Sequence, residues 1–192
     1  IKQEIRHALT VRGFLDYRRM RQFLLSARST IHMLDELLQQ GRASEVYPLL
    51  QYALYLALKN LEKTDDSDGN FQELIAEIIS IYSQALSHIS LKPKIFAKDF
   101  FKLRKLDQWG FLALDPYLPV LGDVGLTEYR ILVSKEWDSL PVKDAKNVKF
   151  EYSTNYFYLK SIMEELAKHD QDVDALIAIK AKDLSKPHVY HE

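Results

Sequence analysis

A chain of 192 residues, 47% hydrophobic and 11% aromatic, carries enough apolar mass for a packed core and is not an intrinsically disordered protein. A formal net charge of −1 gives no overall pull towards a polyanion or a polycation, and the absence of Cys excludes disulfides and thiolate zinc sites within the chain. Six Gly and six Pro among many Leu, Ala, Glu, Lys and Gln point to helix. No run approaches the roughly eighteen apolar residues of a membrane span, and no signal-peptide pattern opens the chain, so the cytoplasm is the expected location and no membrane is expected as a partner.

From Tyr17 the apolar residues Met20, Leu24, Ala27, Ile31, Leu34 and Leu38 alternate steps of three and four, which predicts one long helix with a narrow apolar seam. Gly41 ends it. Ser44 reads as the N-cap of a second helix from Glu45 to about Lys63, whose stripe Val46, Leu49, Leu50, Ala53, Leu54, Ala57, Leu58 and Leu61 marks it as central. Thr64 to Asn70 breaks the pattern, and a third helix is predicted from Phe71 to Ile89. Pro93 opens a shorter helix over Lys94 to Lys105, with Ile95, Phe96, Phe100 and Leu103 directed inward. Gly110, Pro116 and Pro119 punctuate a stretch of short turns. After Gly125 the spacing predicts a helix from Thr127 to Ser139, then a polar loop from Pro141 to Lys149. The aromatic run Tyr152 to Tyr158 has strand-like content, but Ser153 or Thr154 as N-cap gives a helix to Lys168 instead. Asp172 caps the next helix, ending near Asp183, and Ser185-Lys186-Pro187 reads as the start of another.

Residues 118–141 and 164–187 share a pattern: Leu126, Tyr129 and Leu132 fall 47 positions before Val173, Leu176 and Ile179, and Trp137 before Leu184. A period of that length is typical of stacked helix pairs. The expected fold is therefore all-α, with antiparallel helix pairs stacked as a tetratricopeptide- or HEAT-like array. One helical domain over 1–192 is expected, with a long-helix half at 1–110 and repeat-like hairpins at 111–192. Because the chain opens at Ile1 and stops just after a helix-start signal, it reads as part of a longer one.

Chemistry-bearing residue types occur in several places. In Asp65-Asp66-Ser67-Asp68-Gly69-Asn70, Gly69 at the sixth position of a calcium loop puts Asp68 fifth and Asp66 third, but Thr64 first and Ile75 twelfth, where oxygen ligands are required. The segment reads instead as a turn that caps the following helix. Residues 1–28 carry a net charge of +5, and so do residues 92–105. Lys94, Lys98, Lys102 and Lys105 share one helix face, a geometry suited either to solvation or to tracking a phosphate backbone. Arg12, Gly13, Asp16, Arg18 and Arg19 form a dense cluster that reads as an ion-paired hinge before the long helix, with a ligand site as the alternative. His188 and His191, beside Glu192, have metal-compatible spacing but no third ligand. Glu164-Glu165 reads as a solvated face. No nucleophile elbow, phosphate loop or Ser–His–Asp order is present, so no catalytic residue, cofactor or metal is assigned.

Several stretches resemble a family of uncharacterised bacterial proteins of the SWIM-zinc-finger-associated helical-repeat kind. They are Arg12-Gly-Phe-Leu-Asp-Tyr17, Asp65-Asp-Ser-Asp-Gly69, Leu121 to Arg130, Trp137-Asp-Ser-Leu-Pro141, Ile162 to Ala167 and Asp172 to Pro187. The resemblance implies a helical array of tetratricopeptide-like pairs and, through its association with a SWIM zinc finger, binding to nucleic acid or protein. The finger itself has no place in a chain without Cys. It carries over no catalytic residues. The leading expectation is an interaction module that presents a groove to a protein or peptide. The alternative is a nucleic-acid-binding accessory domain using residues 1–28 and 92–105. An enzyme has only the Arg12–Arg18 cluster in its favour.

Overall fold

The computed structural model describes residues 1–142 and 154–183. Among them are eight α-helices and no strand, so the chain is all-helical, its helices packed against one another. None of the described helices is long and apolar enough to cross a membrane. The chain divides into two compact units, Ile1–Leu91 and Lys92–Glu192. The division falls earlier than the boundary at 110 read from the sequence, because the helix that begins at Pro93 packs on the one that follows it.

The first unit holds α1 (Lys2–Leu9), α2 (Tyr17–Gln39), α3 (Ala43–Asn60) and α4 (Asn70–Ser87). The predicted seam is the buried face of α2 from Met20 to Leu38, but Tyr17, read as its first member, is 59% exposed. Gly41 stops the helix at φ 81°, with Arg42 N–H donating to Leu37 O (3.2 Å) and Gly41 N–H to Leu38 O (2.9 Å). That pair of bonds satisfies two carbonyls left open at the helix end. Ser44 is not the N-cap of α3: the helix starts at Ala43, which is itself buried, and Arg42 stands at the cap, paired to Glu45 at 2.7 Å. Antiparallel packing of α3 and α4 brings Tyr47, near the start of one, onto Tyr82, near the end of the other, at 5.4 Å between rings. Buried Asn60 donates to Leu9 O at 2.7 Å and ties the end of α1 to the end of α3. The link from α1 to α2 is pinned by Leu15, whose N–H donates to Lys63 O (2.7 Å) and whose carbonyl accepts from Asp65 N–H (2.9 Å).

The second unit holds α5 (Pro93–Arg104), α6 (Leu118–Asp138), α7 (Thr154–His169) and α8 (Val173–Lys180). The helix assignment for 154–158 holds, and Asp172 caps α8, accepting from Ala175 N–H at 2.9 Å. Ser153, Ser185-Lys186-Pro187, His188 and His191 lie outside the described residues. Gly125, read as a break before its helix, lies inside α6. The bend is at Gly122, whose φ of 52° places it in the left-handed region. A Cβ at Gly125 would stand 3.0 Å from Pro93 O and 3.1 Å from Pro93 Cβ, so the missing side chain lets α6 approach the start of α5. Lys98 reaches Glu128 and Lys105 reaches Glu136, so α5 and α6 run parallel, an exception to antiparallel pairing. Antiparallel order returns with α7, where Tyr156 stacks on Trp137 at 5.7 Å and Arg130 pairs with Asp170. The core of α5 is Phe96, Ala97, Phe100, Phe101 and Leu103; Ile95, read as inward, is 54% exposed.

The 47-residue correspondence falls on unlike elements. The first copy is one helix bent at Gly122; the second is split between α7 and α8 around Gln171 (φ 56°). Burial does not follow it either, since Leu126 is half-buried where Val173 is 64% exposed.

Candidate functional site

Two polar constellations stand out, one in each unit. In the first unit an open groove of about 420 Å³ lies between the N-terminal half of α2 and the turn that leads into α4. Tyr17, Met20, Leu24 and Leu25 give it an apolar floor and rim; Arg18, Arg21 and Arg28 line one wall, and Asp65, Asp66 and Asp68 the other. The length of α2 sets the first wall, since residues three apart share a helix face. The short turn and its cap set the second. Asp66 accepts from Phe71 N–H (2.7 Å) and Gln72 N–H (3.0 Å), which fixes the carboxylate at the positive N-terminal end of α4. The acidic run is thus a capped turn, as its sequence suggested, with Gly69 at φ 73° supplying the left-handed residue. Asp66→Ala is expected to cost about 1 kcal/mol through loss of this cap, read as a lower midpoint in urea unfolding. An unchanged midpoint would show that the cap contributes nothing.

The predicted site residues near this groove separate by role. Asp16 accepts from Arg19 N–H at 3.0 Å and pairs with Arg19 Nε at 3.0 Å, capping α2. The Arg19 backbone N–H, with its guanidinium, holds the Asp16 carboxyl below the usual carboxylate range. Arg19 also donates to Phe14 O. Asp16 and Arg19 are therefore the predicted ion-paired hinge. Arg12 is exposed and pairs with no described residue, while Arg18 faces the groove. Arg28 is occupied by Glu73 (3.1 Å) and Glu77 (3.2 Å).

The lysine face of α5 is largely neutralised. Lys94 and Lys98 approach Glu128 at 3.9 and 3.6 Å, Lys102 pairs with Asp99 at 2.9 Å, and Lys105 with Glu136 at 2.7 Å. Glu136 in turn stands by Tyr158, whose phenol is pushed up to about 12 by burial and by that carboxylate.

The second constellation escaped the sequence reading. Arg104, counted there with a basic surface, is only 4% exposed. It donates to Leu112 O and pairs with Glu165 of α7. Buried Asp107 accepts from Phe111 N–H (3.0 Å) and Leu112 N–H (2.7 Å), so Arg104 and Asp107 together grip the segment that returns from α5 to α6. Burial pushes the Glu165 carboxyl up, and Arg104 opposes it. Glu165 is thus half-buried and committed, not part of a solvated face; Glu164 beside it pairs with Lys160 at 3.8 Å. Tyr129, fully buried, stands within the field of this cluster, and its phenol is likewise pushed up by burial. The cluster acts as an internal clamp, tying α5 to α7 and to the returning segment. Among the described residues no group of three or more His, Cys, Asp or Glu is placed to hold a metal ion.

The groove combines access, an apolar floor and charges that pair with no described residue, and sequence reasoning singled out Arg18 and the acidic run on its two walls. No protein-family model, no curated protein and no solved structure matches the chain.

Proposed function

We propose that this protein is an interaction module whose first unit binds a peptide segment of a partner protein in the groove between α2 and the 64–70 turn. The observation that carries the reading is the groove's composition. Leu25 and Tyr17 are 67% and 59% exposed beside Met20 and Leu24, and both charged walls face the same space. Exposed apolar side chains rimmed by polar groups mark binding surfaces, and a volume of about 420 Å³ lies within the range of ligand-holding clefts, ~300–1,000 Å³. The stretches that resemble the SWIM-associated helical-repeat family support a binding role of the same kind. Tetratricopeptide-like stacking and a cytoplasmic setting belong to this proposal.

Selection of a phage-displayed peptide library on the intact chain tests it. Peptides enriched on the wild-type protein should bind Leu25→Glu at least about tenfold more weakly, a loss of ~1.4 kcal/mol. Failure to enrich any peptide, or enriched peptides indifferent to Leu25→Glu, would overturn the proposal. The nucleic-acid reading draws less support, because Lys94, Lys98, Lys102 and Lys105 each have a carboxylate within 4 Å.

A further inference from the structure

The charges that line the groove are not equivalent. Arg28 is held by Glu73 and Glu77, and Asp66 is held by the first turn of α4. Arg18 and Arg21 on one wall, and Asp65 and Asp68 on the other, pair with no described residue. The free charge is therefore two cations facing two anions across a floor formed by Met20 and Leu24.

From this we infer that the occupant is a short extended peptide segment in which apolar side chains stand between one acidic and one basic side chain. The inference rests on the interaction reading above and adds the chemistry of the partner. The acidic side chain lies against Arg18 and Arg21, the basic one against Asp65 and Asp68, and the apolar ones on the floor. A ligand carrying two like charges gains one wall and is repelled by the other, and like-charge juxtaposition is how interfaces reject wrong partners. Length follows from the helix that forms the wall: Tyr17 to Arg28 covers about 16 Å at ~1.5 Å per residue, which an extended chain spans in about five residues at ~3.3 Å each.

Fluorescence anisotropy with four labelled synthetic hexapeptides tests the inference on the intact chain. All have two central leucines; the flanking pair is Glu and Lys, two Glu, two Lys, or two Gln. The Glu/Lys peptide should bind at least about tenfold more tightly than the other three. Arg18→Glu with Arg21→Glu should transfer the preference to the Lys/Lys peptide, and Asp65→Lys with Asp68→Lys to the Glu/Glu peptide. Circular dichroism matching the wild type shows that the variants remain folded. Equal binding of the Gln/Gln peptide, or a preference indifferent to both reversals, would overturn the inference. If none of the four binds while library-selected peptides do, the occupant's chemistry is wrong and the interaction reading survives. If neither set binds, both fall.

Discussion

Replacing Arg104 by Met lowers stability by about 3–5 kcal/mol, the usual result of removing one partner from a buried ion pair. The melting transition of the second unit should drop by more than about 10 °C. The loss has two parts. Glu165 keeps a carboxylate that burial already disfavours and loses the cation that offsets it, and the Leu112 carbonyl loses its donor. The sign of the pH dependence follows. With Arg104 gone, the folded-state Glu165 pKa rises further above its unfolded value, so the folded state binds the proton more tightly than the unfolded one. The Glu165 part of the destabilisation is then absent below the unfolded pKa and grows as pH rises through the folded one. Thermal melts of wild type and variant should therefore draw closer in acid, down to the pH-independent loss of the Leu112 donor, and diverge towards neutrality. Arg104→Met with Glu165→Leu should recover much of the loss, leaving the ~1–3 kcal/mol of an unsatisfied buried carbonyl. A single variant as stable as the wild type at neutral pH would show that the pair is dispensable.

Phe100→Ala is the other large effect, about 3–5 kcal/mol for a fully buried ring cut back to a methyl group. The Phe100 ring lies 4.7 Å from that of Tyr117, 5.4 Å from Tyr129 and 5.7 Å from Phe96, so its removal opens a cavity where α5, α6 and the returning segment meet. Ile95→Ala, five positions away on the same helix, should change stability by less than about 0.5 kcal/mol, because that side chain is more than half exposed. Urea unfolding of the two variants side by side checks the contrast. Equal losses would place Ile95 in the core after all.

That contrast also shows what the sequence carried. A run of apolar residues at steps of three and four fixes a helix face by itself, so Met20 to Leu38 could be read directly. Asp172 could be read for the same reason: a cap is a local bond between residues three apart. Ile95 and Tyr17 depart from the periodicity because both sit at the edge of an apolar stripe, where the neighbour decides burial and periodicity does not. Gly125 reads as a break because glycine usually punctuates a helix; here it makes room for the Pro93 backbone, a contact 32 positions back in the chain. Arg104 and Glu165 carried no local signal at all. Charged residues read as surface until the fold brings together two of them 61 positions apart. The groove was half legible for a similar reason. Arg18 and the acidic run each stood out, but only the packing of α2 beside α4 sets them face to face.

The parallel course of α5 and α6 bears on how the second unit assembles. α7 and α8 meet across a turn of three residues, Asp170 to Asp172, so their contacts are local and close quickly. α5 and α6 cannot form a simple hairpin. The chain must travel back along the length of α5 before α6 can start, and the closure entropy of that excursion falls due before Gly125 reaches Pro93. The bonds from Arg104 and Asp107 to residues 111 and 112 shorten the search by holding the excursion in place. In contact-order terms, the docking of α6 on α5 is expected to lag the closure of α7 on α8, and the buried clamp shortens that lag.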